Sequence, residues 1–440
     1  MINFLQHFSQ TLRPALGFAA YTIWLLAFPM KGQLIQSLPE SPLLLAYLLP
    51  HIAVLLLMAF ARPQAFLERW WDAGIGLTMA STLAFPALNQ DYALAFMILV
   101  GLSSAMVMLK VGAVLRSSAN PPLSTAMGLV LGNSLLLLVH HLSLGSISLA
   151  VLLTLFLAVL LQPGAPSQPS KVRGLYPYLP FVFVYYVISG LRYDILQADY
   201  SLLHPLFPGF DLTCYVLAVL AAYALLQKNR DLLLVLGIFF GMLSLTFGFF
   251  PSPTPTSLSM ICMQASVGFV DVFFVCLLLQ QTNSIRAFGL GIAVMCLGIA
   301  SGEAFAGHLQ GMEEVIIIVG NGLLAVAVLI LFMLGRVKDT KKRESRVFSS
   351  GQGELLSGID GLESDSMPLQ CLPQGVRSRL SPREKSVLEL AVKGAHYKDI
   401  ALEMDISESS VKTYMRRVFE KTGVSGKQEL MDRLFSRHCT

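Results

Sequence analysis

Twelve stretches of about twenty mostly apolar residues, each long enough to span a bilayer, succeed one another in the first 335 residues, centred near residues 22, 52, 80, 100, 131, 152, 184, 218, 241, 268, 295 and 324. No other feature constrains the fold as severely. A backbone inside lipid has no water to bond, so runs of this kind close their hydrogen bonds within themselves, as helices. Polar segments punctuate them, among them residues 31–42, 61–72, 162–174, 227–231 and 251–256. The expectation is an all-α chain built on a polytopic membrane bundle of about twelve spans. The apolar run from Leu16 lacks a convincing small-residue cleavage site and reads as the first span rather than a signal peptide.

Charge divides the chain into two objects. Residues 1–335 hold 12 Lys/Arg and 12 Asp/Glu, whereas residues 336–440 hold 19 and 15, so the net charge of +4 belongs to the second part. The whole chain is only 13% charged, about half the share of a soluble globular protein, which excludes an ordinary cytosolic enzyme. Three segments follow: a membrane module over 1–335, a linker over 336–379 and a water-soluble module over 380–440. The cysteines (Cys214, Cys262, Cys276, Cys296, Cys371 and Cys439) form no C-x-x-C pair and no zinc spacing, and no nucleotide loop or catalytic triad is present. No enzyme activity, metal or cofactor is expected.

Cytoplasmic loops of membrane proteins are enriched in Lys and Arg. With the N-terminus inside and strict alternation, the inner segments carry Arg13, Arg62, Arg69, Lys110, Arg116, Lys171, Arg173, Lys228, Arg230 and Arg286, and the outer ones only Lys31 and Arg192. Both termini are thereby expected in the cytoplasm. The most polar interior stretch, residues 162–174, separates two sets of six spans. Two six-helix halves joined by a cytoplasmic loop resemble the major facilitator superfamily, whose halves enclose a central cavity. The family's Gly-x-x-x-Asp-basic signature is missing from the loop ARPQAFLERWWDAG.

Ionisable and polar residues inside spans are the candidates for ligand contact. Asp271, mid-helix in SVGFVDVFFVC, is the foremost, followed by Glu303, Asn133, Gln264 and the Tyr185/Tyr186 pair. His140 and His141 fall at an outer helix end, and Arg192 and Asp194 flank the end of the seventh span. The small-residue pairs Gly128/Gly132, Gly237/Gly241 and Gly298/Gly302 have the spacing that lets two helices approach closely.

The linker opens with Arg336, Lys338, Lys341, Lys342, Arg343 and Arg346 and continues through glycines and serines. As a coil of this length it has an r.m.s. span of roughly 35 Å.

Beyond it, four short helices are expected. Ser381-Pro382-Arg383-Glu384 is a capping box with proline at the first helical position. A second helix from Tyr397 to Met404 and a third from Glu408 to Thr422 are joined by Asp405-Ile406-Ser407, and Ser425-Gly426-Lys427-Gln428 opens a fourth. Two helices across a three-residue turn form a helix-turn-helix, whose second helix enters the DNA major groove. In the third helix Val411, Met415, Val418 and Thr422 supply the inward face. Lys412, Thr413 and Arg416, with Ser409, face outward where they can reach base edges. Arg417, Lys421 and Lys398 are placed for phosphates.

The sequence Leu380-x-Pro382-Arg383-Glu384, Val387-Leu388, Gly394, Lys398-x-Ile400-Ala401, Ile406-Ser407, Val411-Lys412 and Lys421-x-Gly423-Val424 resembles the LuxR/GerE-type DNA-binding domain of bacterial transcription regulators. That resemblance implies a four-helix fold that binds DNA as a dimer, with Lys412, Thr413 and Arg416 reading bases. It also implies a bacterial inner membrane around the first module and RNA polymerase as a further partner. The assembly reads as a membrane-anchored one-component LuxR-family regulator that senses a small molecule or membrane signal through its transporter-like module. The alternative is a major-facilitator-type transporter with an attached regulatory DNA-binding domain.

Overall fold

The computed structural model describes residues 2–36, 40–61, 70–142, 144–164, 172, 174–201, 209–250, 252–306, 312, 314–327, 329–330, 379–392, 395, 397–424, 426 and 429–430. The chain forms two compact units, Met1–Val337 and Lys338–Thr440. Among the described residues there is no strand.

The first unit contains α1 (Ile2–Ala27), α2 (Glu40–Phe60), α3 (Trp71–Ala84), α4 (Ala93–Arg116), α5 (Pro121–Leu142), α6 (Ser146–Ala158), α7 (Leu179–Ser201), α8 (Phe210–Leu226), α9 (Arg230–Phe247), α10 (Pro253–Leu279), α11 (Ser284–Ala306) and α12 (Glu314–Ala327). Six stretches of helix, Leu43–Phe60, Gln90–Arg116, Pro121–Leu142, Arg230–Phe247, Pro253–Leu279 and Ser284–Ala306, are long and apolar enough to cross a membrane. Four more helices are apolar but shorter. The seventh helix does not end at Arg192 and Asp194 as expected: it runs on through both to Ser201. That stretch contains no glycine or proline to stop it, and Leu196 and Tyr200 are anchored in a small cluster with Met260 and Met263.

The helix pairings repeat after six helices. In the first half α1 lies on α4 and α5, and α2 and α3 lie on α4. In the second half α7 lies on α10 and α11, and α8 and α9 lie on α10. Contacts between the halves obey the same rule, with α2 on α11 mirrored by α8 on α5, and α4 on α11 mirrored by α10 on α5. The glycine pairs serve equivalent joints. A Cβ on Gly132 would stand 2.7 Å from Thr22 Cβ and 3.0 Å from Ala19 O, joining α5 to α1. One on Gly302 would stand 2.5 Å from Val187 O and 2.7 Å from Leu191 N, joining α11 to α7. Only glycine permits such backbone contact, and van der Waals packing of this kind replaces the hydrophobic effect inside lipid.

The two halves are also tied at both ends of the bundle. After α1, Lys31 (φ 56°) pairs with Glu303 on α11, Nζ to Oε1 2.9 Å. At the other end Arg116 of α4 donates to the carbonyls of Gln281, at 2.5 Å, and Thr282. Beside it Arg286 donates to Ala59 O at 3.3 Å.

The second unit is built on α13 (Pro382–Val392), α14 (Tyr397–Glu403) and α15 (Glu408–Thr422). Its own core gathers Leu380, Val387, Leu388, Ile400, Val411, Met415, Val418 and Leu430. The expected fourth helix and its capping box at Ser425–Gln428, and the linker, lie outside the described residues or barely touch them.

Candidate functional site

Local chemistry fixes the helix-turn-helix. Glu384 N donates to Ser381 Oγ at 3.3 Å while Ser381 N donates to Glu384 Oε2 at 2.7 Å. This reciprocal capping box satisfies two of the backbone donors that a helix start leaves open. The turn after α14 is made by Asp405 at φ 51°, with Ile406 N donating to Ala401 O at 2.9 Å. That is the bond of a left-handed helix stop, in a conformation that aspartate tolerates better than most residues. Ser407 then caps α15 by accepting from Ser410 N at 3.1 Å. Gly423, at φ 67°, ends it, with Val424 N donating to Phe419 O at 3.1 Å.

On α15, Val411, Met415 and Val418 are buried, as their spacing predicts, whereas Thr422 at the helix end is half-buried. The outer face presents Ser409, Lys412, Arg416 and Arg417 exposed, with Thr413 half-buried. Lys412 Nζ is 2.9 Å from Glu408 Oε1 and Arg416 Nε 3.8 Å from Glu420 Oε1, both within the helix. Exposed pairs of this type contribute about 0.3–0.5 kcal/mol, so both cations can leave their carboxylates at little cost. Thr413 Oγ1 donates back to Ser409 O at 2.9 Å.

Lys421 is differently engaged. Its Nζ lies 2.6 Å from Glu384 Oε2, welding the end of α15 to the start of α13. Burial pushes the Glu384 carboxyl up, but the Lys421 ammonium and the Ser381 donors outweigh it and hold the group below the ordinary glutamate value. The guanidinium of Arg383 bonds the Tyr414 hydroxyl. Lys398 lies on α14, with its side chain outside the described residues.

In the first unit α10 carries the polar residues. It packs against α4, α5, α7, α8, α9 and α11, and 78% of its most apolar 18-residue stretch is buried. Asp271 is half-buried on it. Tyr186 of α7 donates to Oδ1 at 2.5 Å and Tyr215 of α8 to Oδ2 at 2.8 Å. Tyr185, the neighbour of Tyr186, shares a hydrogen bond of 2.7 Å with Ser266 Oγ, which donates on to Gly237 O at 2.6 Å. A cavity of ≈ 30 Å³ opens beside Tyr185 and Ser266. Gln264 donates to Asp211 Oδ2 at 3.0 Å. Gln264 and Asp271, seven residues apart, thus share the face of α10 that meets α8, whereas Ser266, with Tyr185 bonded to it, turns to another side of the helix.

Glu303 and Asn133 do not join it. Glu303 is held by Lys31, and Asn133 donates to Leu129 O of its own helix at 2.8 Å. Sequence reasoning did not single out Asp211, Tyr215 or the buried His51, whose Nδ1 lies 2.9 Å from Ser104 Oγ. Asp211 sits in the first turn of α8, where an acidic residue reads as an ordinary helix-start charge.

Residues 378–434 match the family described as bacterial regulatory proteins, luxR family. Over 59 residues the chain is 37% identical to response regulator Rre1 of Synechocystis sp., covering 13% of this chain and 26% of that protein. Over 54 residues it is 41% identical to the monoamine regulon transcriptional regulator of Klebsiella aerogenes, covering 12% and 24%. The chain therefore spans about a quarter of the length of the curated relatives it matches.

The helical module is similar in fold to transporters. It matches the major facilitator proton:xylose symporter XylE (TM-score 0.54, 14% identity, 75% of this chain and 95% of that one). It also matches the human organic anion transporter MFSD10 (0.53, 14%, 73% and 97%). A third match is a bacterial homologue of the iron transporter ferroportin in an outward-facing state (0.52, 14%, 75% and 99%). A LuxR-type helix-turn-helix domain and a major-facilitator-like membrane module thus share one chain.

Proposed function

We propose that this protein is a membrane-anchored, one-component transcription regulator that binds DNA through α15 and takes its signal through the membrane module. The observation that carries this reading is the outer face of α15. Lys412, Arg416 and Arg417 stand exposed on a helix that is capped at both ends and seated on its own core. Lys412, Thr413 and Arg416, with Ser409, are assigned to base edges in the major groove. Arg417 and Lys398 are assigned to phosphates, and Lys421 to phosphate only as far as Glu384 releases it.

Residues 377–440 carry 13 basic and 9 acidic side chains. Their net charge of +4 favours modest affinity for one copy, and pairing two copies on adjacent half-sites raises it by making the second contact intramolecular. RNA polymerase is the partner through which a bound dimer would act. The Lys/Arg distribution supports a reading with both termini in the cytoplasm, the LuxR-type match supports a bacterial inner membrane around the first module, and in this reading residues 336–379 act as the tether. A small molecule that favours one arrangement of the two membrane halves over the other would shift the protein between states.

The test is selection of duplexes from a random DNA pool by purified full-length protein. A two-part motif that disappears in Lys412→Ala/Arg416→Ala is expected, and equal enrichment by wild type and variant would remove α15 from recognition. The likeness to a symporter's fold supports a second reading, a transporter with an attached regulatory domain. It requires solute movement in vesicles that Asp271→Asn abolishes.

A further inference from the structure

Asp271 is a carboxyl group inside an apolar helix with no cation beside it. Ionised carboxylates taken out of water need a compensating cation or several strong donors. Among the described residues no Lys, Arg or His stands within ion-pair distance of Asp271; it accepts hydrogen bonds from the neutral phenols of Tyr186 and Tyr215. Those phenols use both oxygens as acceptors, one each. An ionised carboxylate has about four acceptor positions, so about two remain.

Asp271 also keeps accessible surface on a helix that is enclosed by six others. On a helix so enclosed, that residual surface turns to the interior of the bundle, where a ligand would have to enter. The chemistry of the surroundings narrows what can occupy that space. A hard divalent ion needs about six or more oxygens, and this centre offers two carboxylate and two phenol oxygens on helices that are otherwise apolar. An ammonium supplies a single positive charge and up to three N–H donors, and its organic part meets the apolar wall.

We infer that Asp271, framed by Tyr186 and Tyr215, is a recognition site for a small organic monocation, a protonated amine. The inference rests on the reading of the membrane module as the signal-taking part and names the class of its ligand. The amine is held by charge-assisted hydrogen bonds to the free acceptor positions of Asp271, which are stronger than bonds between neutral groups. Occupation strengthens the tie between α7, α8 and α10, the three helices that contribute the site.

The test uses purified full-length protein in lipid nanodiscs. Methylamine, benzylamine and phenethylamine are titrated beside two benzylamine isosteres, benzyl alcohol (neutral) and benzoate (anionic), in sodium and in potassium buffers. Binding is read by calorimetry and by the concentration-dependent rise in Tm that any ligand of the native state produces. At least one amine is expected to bind, with neither isostere following it. Replacing the charge-assisted bonds through Asp271→Asn is expected to weaken that amine about 10–100-fold. Tyr215→Phe leaves the carboxylate in place, guards against a misfolded Asp271 variant, and is expected to give a smaller loss.

Equal binding of benzyl alcohol, an amine response unchanged in Asp271→Asn, or no response to any amine would overturn the inference. DNA occupancy in cells separates that failure from failure of the underlying reading. If amines fail but Asp271→Asn alters occupancy, the membrane module still takes a signal through another ligand. If occupancy is also unchanged, both fall.

Discussion

Replacing Glu384 by alanine should cost the helix-turn-helix unit about 2–3 kcal/mol, a large fraction of the stability of a small domain. Two separate losses make up that figure. The capping box loses the acceptor for Ser381 N–H, now 2.7 Å from Glu384 Oε2, and loss of a helix cap costs typically ~1 kcal/mol. Lys421 loses a partner at 2.6 Å. A hydrogen bond between charged groups contributes about 1.5–3 kcal/mol, and because the Lys421 side chain is 35% exposed and can rehydrate, the lower end applies.

Glu384→Gln separates the two contributions, since its amide oxygen can still accept from Ser381 while the charge facing Lys421 is gone. It should cost about 1 kcal/mol, roughly the cost of a neutralised, partly exposed pair. The pH dependence has a definite sign. The Glu384 carboxyl is held below its ordinary value, so its contribution is fully present above the unfolded glutamate value of about 4.3. That contribution disappears as pH falls through the folded value. The gap between wild type and Glu384→Gln should therefore be constant at neutral pH and close only in acid. Urea denaturation of the C-terminal unit, followed by circular dichroism at several pH values, measures all of this. A cost for Glu384→Ala below about 0.5 kcal/mol, the level of an ordinary surface substitution, would refute the reasoning.

Three further outcomes follow from geometry. Asp405→Gly should stabilise the same unit by up to ~1 kcal/mol in the same denaturation assay, because aspartate at φ 51° carries a left-handed strain that glycine does not. In the membrane unit Gly302→Ala should cost about 1–3 kcal/mol, since its Cβ would meet Val187 O at 2.5 Å. Gly322→Ala, with nothing within 4 Å, should be neutral or stabilising, and Tm in detergent distinguishes the two. On DNA, Arg417→Ala should weaken binding evenly across sequences and lower the salt slope by about 1, whereas Lys412→Ala should cost about 1–3 kcal/mol and relax the motif. Titration of matched and mismatched duplexes at several salt concentrations reads both.

What was legible in the sequence is what is local. The capping box of Ser381 and Glu384, the cap at Ser407, the stop at Gly423 and the buried stripe of Val411, Met415 and Val418 each rest on residues within a few turns of one another. The glycine pairs were legible as close-packing points, but their equivalence in the two halves appears only once α5 lies on α1 and α11 on α7. Asp271 could be singled out because a charge in an apolar run is conspicuous. Tyr186 stands among the candidates too, but neither its tie to Asp271 nor that of Tyr215 could be read, because they lie 85 and 56 residues away in sequence and tyrosines in apolar runs look like packing.

The same holds for Lys421 and Glu384, 37 residues apart. From spacing alone Lys421 is one more basic residue on a DNA-facing helix, and only the crossing of α13 and α15 gives it a carboxylate. Lys31 and Glu303, 272 residues apart, read separately as an outer-loop charge and a helix-end acid. Their pairing depends on how the two halves meet.

The central claim is that a protein fixed in the membrane by its helical unit recognises DNA through α15. The most direct measurement is a genome-wide map of DNA crosslinked to the full-length tagged protein recovered from the membrane fraction of its host, beside Lys412→Ala/Arg416→Ala at equal abundance. The account predicts discrete sites sharing a two-part motif in the wild type and their loss in the variant. Sites that persist in the variant, or membrane-fraction protein with no discrete sites while the DNA is bound by a released soluble fragment, would contradict it.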